Sequence, residues 1–352
     1  MIIGARTAKT GIAIMVSIGI CNLLAIGPTI LAAIAAMVNM QPSVYQSTKN
    51  AVDQVFVTGI GIVVGIFFGL VFGSGAVVIG IASIIVIYFT LKLKMNEFIN
   101  IGVISTIFVL DASSADFLNQ AFIRVQLIGV GLVTALVINN LIFPPKYFNQ
   151  VQMKLKEIHN ETMAIFEVEV TNFIENIGID NKLNKLDDVQ KQALELDDDL
   201  DVLQHEVQNK TGQVKRKYNM IHDLHHLNSQ ILSKVGILED IHPNRLRRRA
   251  KRGNLPYTPE FQEIVTRIQN ANNVIKENSI LLQKAIIDGE SIEGLKPVIS
   301  LREPLHSRLE KWHQLHQGDN YHVRALMEVS IVIYELTWIN KEQKRLFEKY
   351  FK

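Results

Sequence analysis

Apolar residues run almost unbroken over Gly11–Met40, Gln54–Gly73, Gly75–Leu91, Phe98–Leu110 and Ala121–Phe143. Beyond Pro144-Pro145 they recur instead at helical spacing between charged residues. A hydrocarbon core needs about 20 apolar residues per helix, with a range of about 17–25. The segments 54–73, 75–91 and 121–143 meet or approach that length. Phe98–Leu110 is short, with Asn96 and Asp111 bracketing an extension. Gly11–Met40 is either one long helix or two short ones hinged at Gly27-Pro28, because proline removes a backbone donor and disfavours helix at the residue before it. The second half predicts amphipathic helices at Phe148–Asn176, Leu186–Asn209, Gln213–Asp240, Pro259–Asp288, Pro297–Gln314 and Val323–Phe351. Its loops are marked by Gly178, Gly212, Pro243, Gly253-Asn254-Leu255-Pro256 and Gly318-Asp319.

The pattern predicts an all-α protein: a polytopic transmembrane bundle of about six apolar segments over 1–145, then a water-soluble helical bundle over 146–352. The distribution of charge sharpens this division. Residues 1–146 hold seven Lys/Arg and four Asp/Glu, and the other 29 basic and 30 acidic residues follow. Fourteen of the 21 glycines also lie in the first 146 residues, where lipid-embedded helices use Gly for close packing. The first apolar run continues past the length of a signal sequence and is followed by others, so it reads as membrane structure.

Lys and Arg accumulate on the cytoplasmic side of short loops. If Gly11–Met40 crosses twice, the N-terminus, Lys49, Lys92, Lys94 and Lys146 all lie inside and Asp111 and Asp116 outside. A single crossing would split the same charges between the two faces. The expectation is therefore about six crossings with both termini cytoplasmic, the first hairpin being partly re-entrant.

Within the apolar half, Gly61, Gly65, Gly69 and Gly73 recur every fourth residue and form one smooth stripe, for packing inside a subunit or for a subunit interface. Charges at membrane depth usually face a cavity or a partner. Arg124 lies near the expected outer end of the last crossing, where it either snorkels to the interface or contacts a substrate anion. Asp53 and Gln54 open the Gly-rich helix; Asp53 either caps it or carries protons. Asn22, Asn39, Gln126, Asn139 and Asn140 are candidates to line a polar path, and Asn22 joins Arg124, Asp53 and Gln54 as a candidate substrate contact.

The soluble half offers two charge clusters. Arg245, Arg247, Arg248, Arg249, Lys251 and Arg252 place six cations in eight positions, either a solvated loop or a contact with anionic lipid, which in a membrane-tethered domain is a nearer partner than nucleic acid. Asp197, Asp198, Asp199 and Asp201 form an acidic run that either pairs with this patch or is solvated. His222 and His226 share a helix face near His225 but lack the Glu of a His-Glu-x-x-His site, so they read as ordinary surface or interhelical histidines, as do His306, His313, His316 and His322. No nucleophile–base, paired-carboxylate or metal-ligand spacing points to an enzyme, and no phosphate loop or cofactor motif is present. The lone Cys21 supplies no intrachain disulfide.

The apolar N-terminal stretch with its Gly-Pro break, the Met-Gln-Pro-Ser-Val-Tyr-Gln-Ser run at 40–47 and the Gly-repeat helix resemble the aromatic acid exporter family of bacteria, within the fusaric acid resistance-like group. The hydrophilic extension is similar to the cytoplasmic domain of its short Gram-positive-type members. Larger members carry two copies of the membrane unit, so the resemblance implies a homodimer or higher homo-oligomer here. The loop after the second apolar segment is typically basic in the group, and residues 41–49 supply a single lysine. The resemblance implies a multi-pass plasma-membrane protein exporting aromatic or other small organic acids with the proton gradient. The alternative from the residues is a membrane-anchored scaffold or sensor acting through its soluble bundle.

Overall fold

The computed structural model describes residues 5–111, 117–142, 147–177, 183–208, 210, 212–301, 304–315 and 320–352. Asp116, the Pro144-Pro145 boundary, Lys146, Gly178, Asn209, His316 and Gly318-Asp319 lie outside the described residues, as do the side chains of Arg6 and His306. Every regular element among the described residues is helical, and the chain divides into two compact units, Met1–Tyr147 and Phe148–Lys352.

In the first unit, α1 (Ala5–Leu23) and α2 (Ile30–Val38) form a hairpin broken at Gly27-Pro28. The nine residues of α2 rise about 14 Å, half the hydrocarbon thickness. The following helix α3 spans Val44–Phe72. It starts ten residues before the expected Gln54, because Ser43 caps it by accepting from the Gln46 amide at 3.3 Å. Asp53 therefore lies inside the helix and caps nothing. The remaining helices are α4 (Ala76–Lys92), α5 (Ile99–Leu110) after a 3-10 turn, and α6 (Phe117–Val137), which continues as a π turn to Ile142. Helices α2 and α6 pack together, as do α3 and α5, and α4 with α5.

Two helices among the described residues are long and apolar enough to cross a membrane, Val44–Phe72 and Phe117–Asn140. Only 33% of the apolar window of the first is buried inside the protein. Its outward side chains include Val52, Val55, Phe56, Val63, Phe67 and Leu70, each more than half exposed. A contiguous apolar face of that size is unfavourable in water and suits lipid. Polar groups turn inward instead, Gln54, Ser105 and Arg124 among them.

The glycine stripe is a seam within the unit. A Cβ on Gly61 would strike the Gly102 carbonyl oxygen at 2.5 Å, and one on Gly65 would meet Val109 at 3.1 Å. Gly69 faces the Phe117 ring at 2.8 Å. Gly73 departs from the stripe and is the C-cap of α3 at φ 77°, where a side chain would be strained. A further close approach, between Gly131 of α6 and Ala32 and Ala35 of α2, lay outside the four-residue repeat.

The second unit contains α7 (Tyr147–Glu175), α8 (Leu183–Val207), α9 (Gly212–Ala250), α10 (Pro259–Gln283, with a π turn to Asp288), α11 (Pro304–Leu315) and α12 (Asn320–Phe351). Apolar residues at i, i+3, i+4 spacing form its core, including Leu155, Phe166, Leu196, Ile221, Ile231, Ile268, Val332 and Leu336. Gly212 begins α9 and so is helical, and Pro243 sits inside that helix where the sequence reads as a loop. Proline removes one donor there, and the Asn244 side chain donates to the Asp240 carbonyl of the same turn at 3.2 Å. The helix ends at Ala250, followed by Gly253 and Asn254 in positive φ, with the Asn254 amide donating to the Arg249 carbonyl at 3.0 Å.

Candidate functional site

Arg124 lies two turns into α6 and is 3% exposed. It does not snorkel. Its Nε and Nη2 both donate to Ser105 Oγ on α5, at 3.1 and 3.0 Å, and the guanidinium stands 6.0 Å from the Phe108 ring centroid. The Ser105 hydroxyl proton is committed to the Ile101 carbonyl at 2.6 Å, leaving its lone pairs for the arginine. Nη1 is buried with no hydrogen-bond partner, and Arg124 makes no ion pair among the described residues. Beside it, Thr106 donates to the Gly61 and Gly102 carbonyls at 3.1 and 3.0 Å, so the glycine seam and the arginine share one stretch of α5. Sequence reasoning missed Ser105 and Thr106. The signal was the adjacent polar pair in the middle of the 98–110 run, whose one other polar residue, Asn100, lies near its start.

The other candidates do not converge on Arg124. Gln54, 1% exposed, accepts from the Asn39 side-chain amide, and Ser47 donates to the Asn39 carbonyl. Asn139 donates to the Gln41 carbonyl at 3.0 Å. These bonds tie the end of α2 to α3 and to the turn after α6, which makes them a latch. Asn22 is exposed near the end of α1, and Asp53 is half-buried on α3.

The basic run divides in the same way. Arg245 is 2% exposed, donates from Nε to the Phe173 carbonyl and from Nη2 to the Tyr257 hydroxyl, both at 3.0 Å, and stacks 4.4 Å from the Phe173 ring. It is no surface contact. Arg248 makes a two-pronged pair with Glu328. Arg249 donates to the Leu255 carbonyl at 2.6 Å and stands 4.4 Å over Tyr257, and Arg252 stands 4.2 Å over Tyr321. Arg247 and Lys251 are exposed. Guanidinium planes stack on aromatic faces as lysines do not, and the rings draw in Arg245, Arg248 and Arg249, whereas Arg252 stays exposed over its ring. The acidic run meets other partners: Asp197 pairs with His225 Nε2 at 2.7 Å and Asp199 with Lys154. His222 stands 3.8 Å from Asp223. Among the described residues no group of three or more His, Cys, Asp or Glu is placed to hold a metal.

Arg245, Arg249 and Arg252 line a cavity of about 220 Å³ together with Tyr257, Phe261, Trp312, Tyr321 and His322. It lies wholly within the second unit.

Comparison with known proteins bears on the first unit. Residues 1–142 match the model of the family described as Aromatic acid exporter family member 1. The UPF0421 protein YgaE of Bacillus subtilis is 38% identical over 160 residues, 46% of this chain and 44% of that protein. The chain thus matches less than half the length of that curated relative. A UPF0421 protein of Staphylococcus haemolyticus is 26% identical over 293 residues, 79% of this chain and 83% of its own length. The match to an exporter family implies a membrane location.

Proposed function

Starting from an N-terminal unit that matches the aromatic acid exporter family over residues 1–142, we propose that this protein is a transporter that exports small organic acids, aromatic ones foremost, across a bacterial cell membrane using the proton gradient. The observation that carries the reading is Arg124, a buried guanidinium inside apolar helices with a serine for its hydrogen-bond partner and one nitrogen unbonded. A desolvated cation without a carboxylate is costly on its own and favours an arriving anion. Structural arginines at membrane depth are ordinarily satisfied by carbonyls or acids, so the open nitrogen favours a substrate role over a purely structural one.

In this reading six apolar segments enter the membrane, the short α1–α2 hairpin being partly re-entrant. Both termini are cytoplasmic, which gathers Lys9, Lys49, Lys92 and Lys94 on one side. Two copies assemble, in keeping with the doubled membrane unit of larger members of the group. The test is a growth and efflux screen of cells lacking or overproducing the protein, challenged with aromatic and short organic acids at several external pH values. Selective protection with lower intracellular acid supports export; no change across the panel removes the reading.

A further inference from the structure

The cavity in the second unit has a chemistry of its own. It lies where α9 ends and α10 and α12 begin, with one side made of rings: Tyr257 and Phe261 have centroids 4.7 Å apart, Phe261 and Trp312 4.7 Å, and Trp312 and His322 4.2 Å. The other side is cationic. Arg245 is buried and Arg249 half-buried; among the described residues neither makes an ion pair and no Asp or Glu lines the cavity. The acid close by, Glu328, is held in both its oxygens by Arg248. The N-terminal ends of α10 and α12 add positive potential of the same sign. Desolvated arginines that make no ion pair among the described residues favour an anion, and the ring faces favour a flat apolar body. At about 220 Å³ the space falls below the roughly 300–1,000 Å³ of sites for drug-sized ligands, a size that suits one ring.

We propose that this cavity binds a single-ring aromatic carboxylate, its ring against Phe261 and Trp312 and its carboxylate toward Arg249 and Arg245, making the second unit a ligand sensor. The site is separate from Arg124, and its test reads binding alone, so it stands or falls independently of transport.

The sequence has two tryptophans, and Trp312 lines the cavity while Trp338 does not. In the full-length Trp338→Phe protein in detergent, Trp312 becomes the sole tryptophan reporter. Titration with benzoate at constant ionic strength is expected to change its emission saturably, whereas acetate, inorganic phosphate and vesicles of anionic phospholipid leave it unchanged. Adding Arg249→Gln is expected to weaken benzoate at least about tenfold, the worth of one charge-assisted hydrogen bond. A second readout needs no arginine variant: in the wild-type full-length protein benzoate raises the temperature of the unfolding transition followed by tryptophan emission, and cyclohexanecarboxylate does so less. The proposal is overturned by an unsaturable or absent benzoate response, by equal binding in a folded Arg249→Gln protein, or by a response to phosphate or lipid in place of benzoate.

Discussion

Arg124 of α6 and Ser105 of α5 are joined by two hydrogen bonds to a single hydroxyl oxygen, at 3.1 and 3.0 Å. The serine keeps the guanidinium in place without neutralising it. Ser105→Ala is expected to cost about 1–3 kcal/mol, the penalty for leaving a buried donor unsatisfied. The single cysteine, Cys21, is buried in the same unit, so the temperature at which a thiol-reactive dye labels it measures that loss. Labelling at an unchanged temperature would mean that Ser105 contributes nothing to holding Arg124.

Gly61 and Gly59 lie two residues apart on α3 and predict opposite outcomes. A Cβ at Gly61 meets the Gly102 carbonyl oxygen, a backbone atom that yields only if α5 moves, whereas a Cβ at Gly59 meets nothing within 4 Å. Gly61→Ala is expected to destabilise by about 1–3 kcal/mol through overpacking. Gly59→Ala is expected to be neutral or to gain up to about 1 kcal/mol of helix propensity. Thermal labelling of Cys21 compares the two; equal effects would show that the α3–α5 seam is not close-packed.

His159 makes the second unit sensitive to acid. Complete burial holds its imidazole below its ordinary pKa, against the opposing effect of hydrogen bonds to Asn228 and Ser279. The folded state therefore binds the proton less readily than the unfolded chain, and stability is full above the ordinary histidine value of about 6.5 and declines as pH falls below it. Both tryptophans, Trp312 and Trp338, lie in this unit. Unfolding followed by their emission should show stability falling from about pH 7 to pH 5, and His159→Gln should flatten that slope while lowering stability at pH 7.

Two ion pairs in the same unit differ in burial. Arg248 and Glu328 have side chains 14% and 12% exposed, whereas Lys296 and Glu277 are 59% and 49% exposed. Glu328→Ala is expected to cost about 1–3 kcal/mol by stranding a partly buried guanidinium, and Glu277→Ala less than about 1 kcal/mol. Denaturant unfolding read by tryptophan emission decides between them; a cost at Glu277 matching that at Glu328 would contradict the burial argument.

Hydropathy and glycine content made the all-helical plan legible, and Gly27-Pro28 marked the place where the first apolar run could break, because both are local properties of the chain. The start of α3 was not legible: residues 41–49 read as a loop, yet Ser47 and Gln54 bond inward to Asn39, a partner that hydropathy does not reveal. The arginine run misled for a similar reason. Six close cations read as a surface, but Arg245 is buried by Tyr257, 12 residues on, and by the Phe173 carbonyl, 72 residues back. Long guanidinium stems bury readily when rings are available to stack on, and the sequence alone does not say which rings those are.

The most direct test of export is uptake of radiolabelled benzoate and its hydroxylated relatives into inverted membrane vesicles under an imposed proton gradient. Wild-type vesicles should accumulate the acid and lose it when a protonophore is added; Arg124→Lys should retain part of the activity and Arg124→Gln little, with all three proteins inserted at equal levels. Transport by Arg124→Gln at the wild-type rate, or no accumulation by the wild type, would contradict the account.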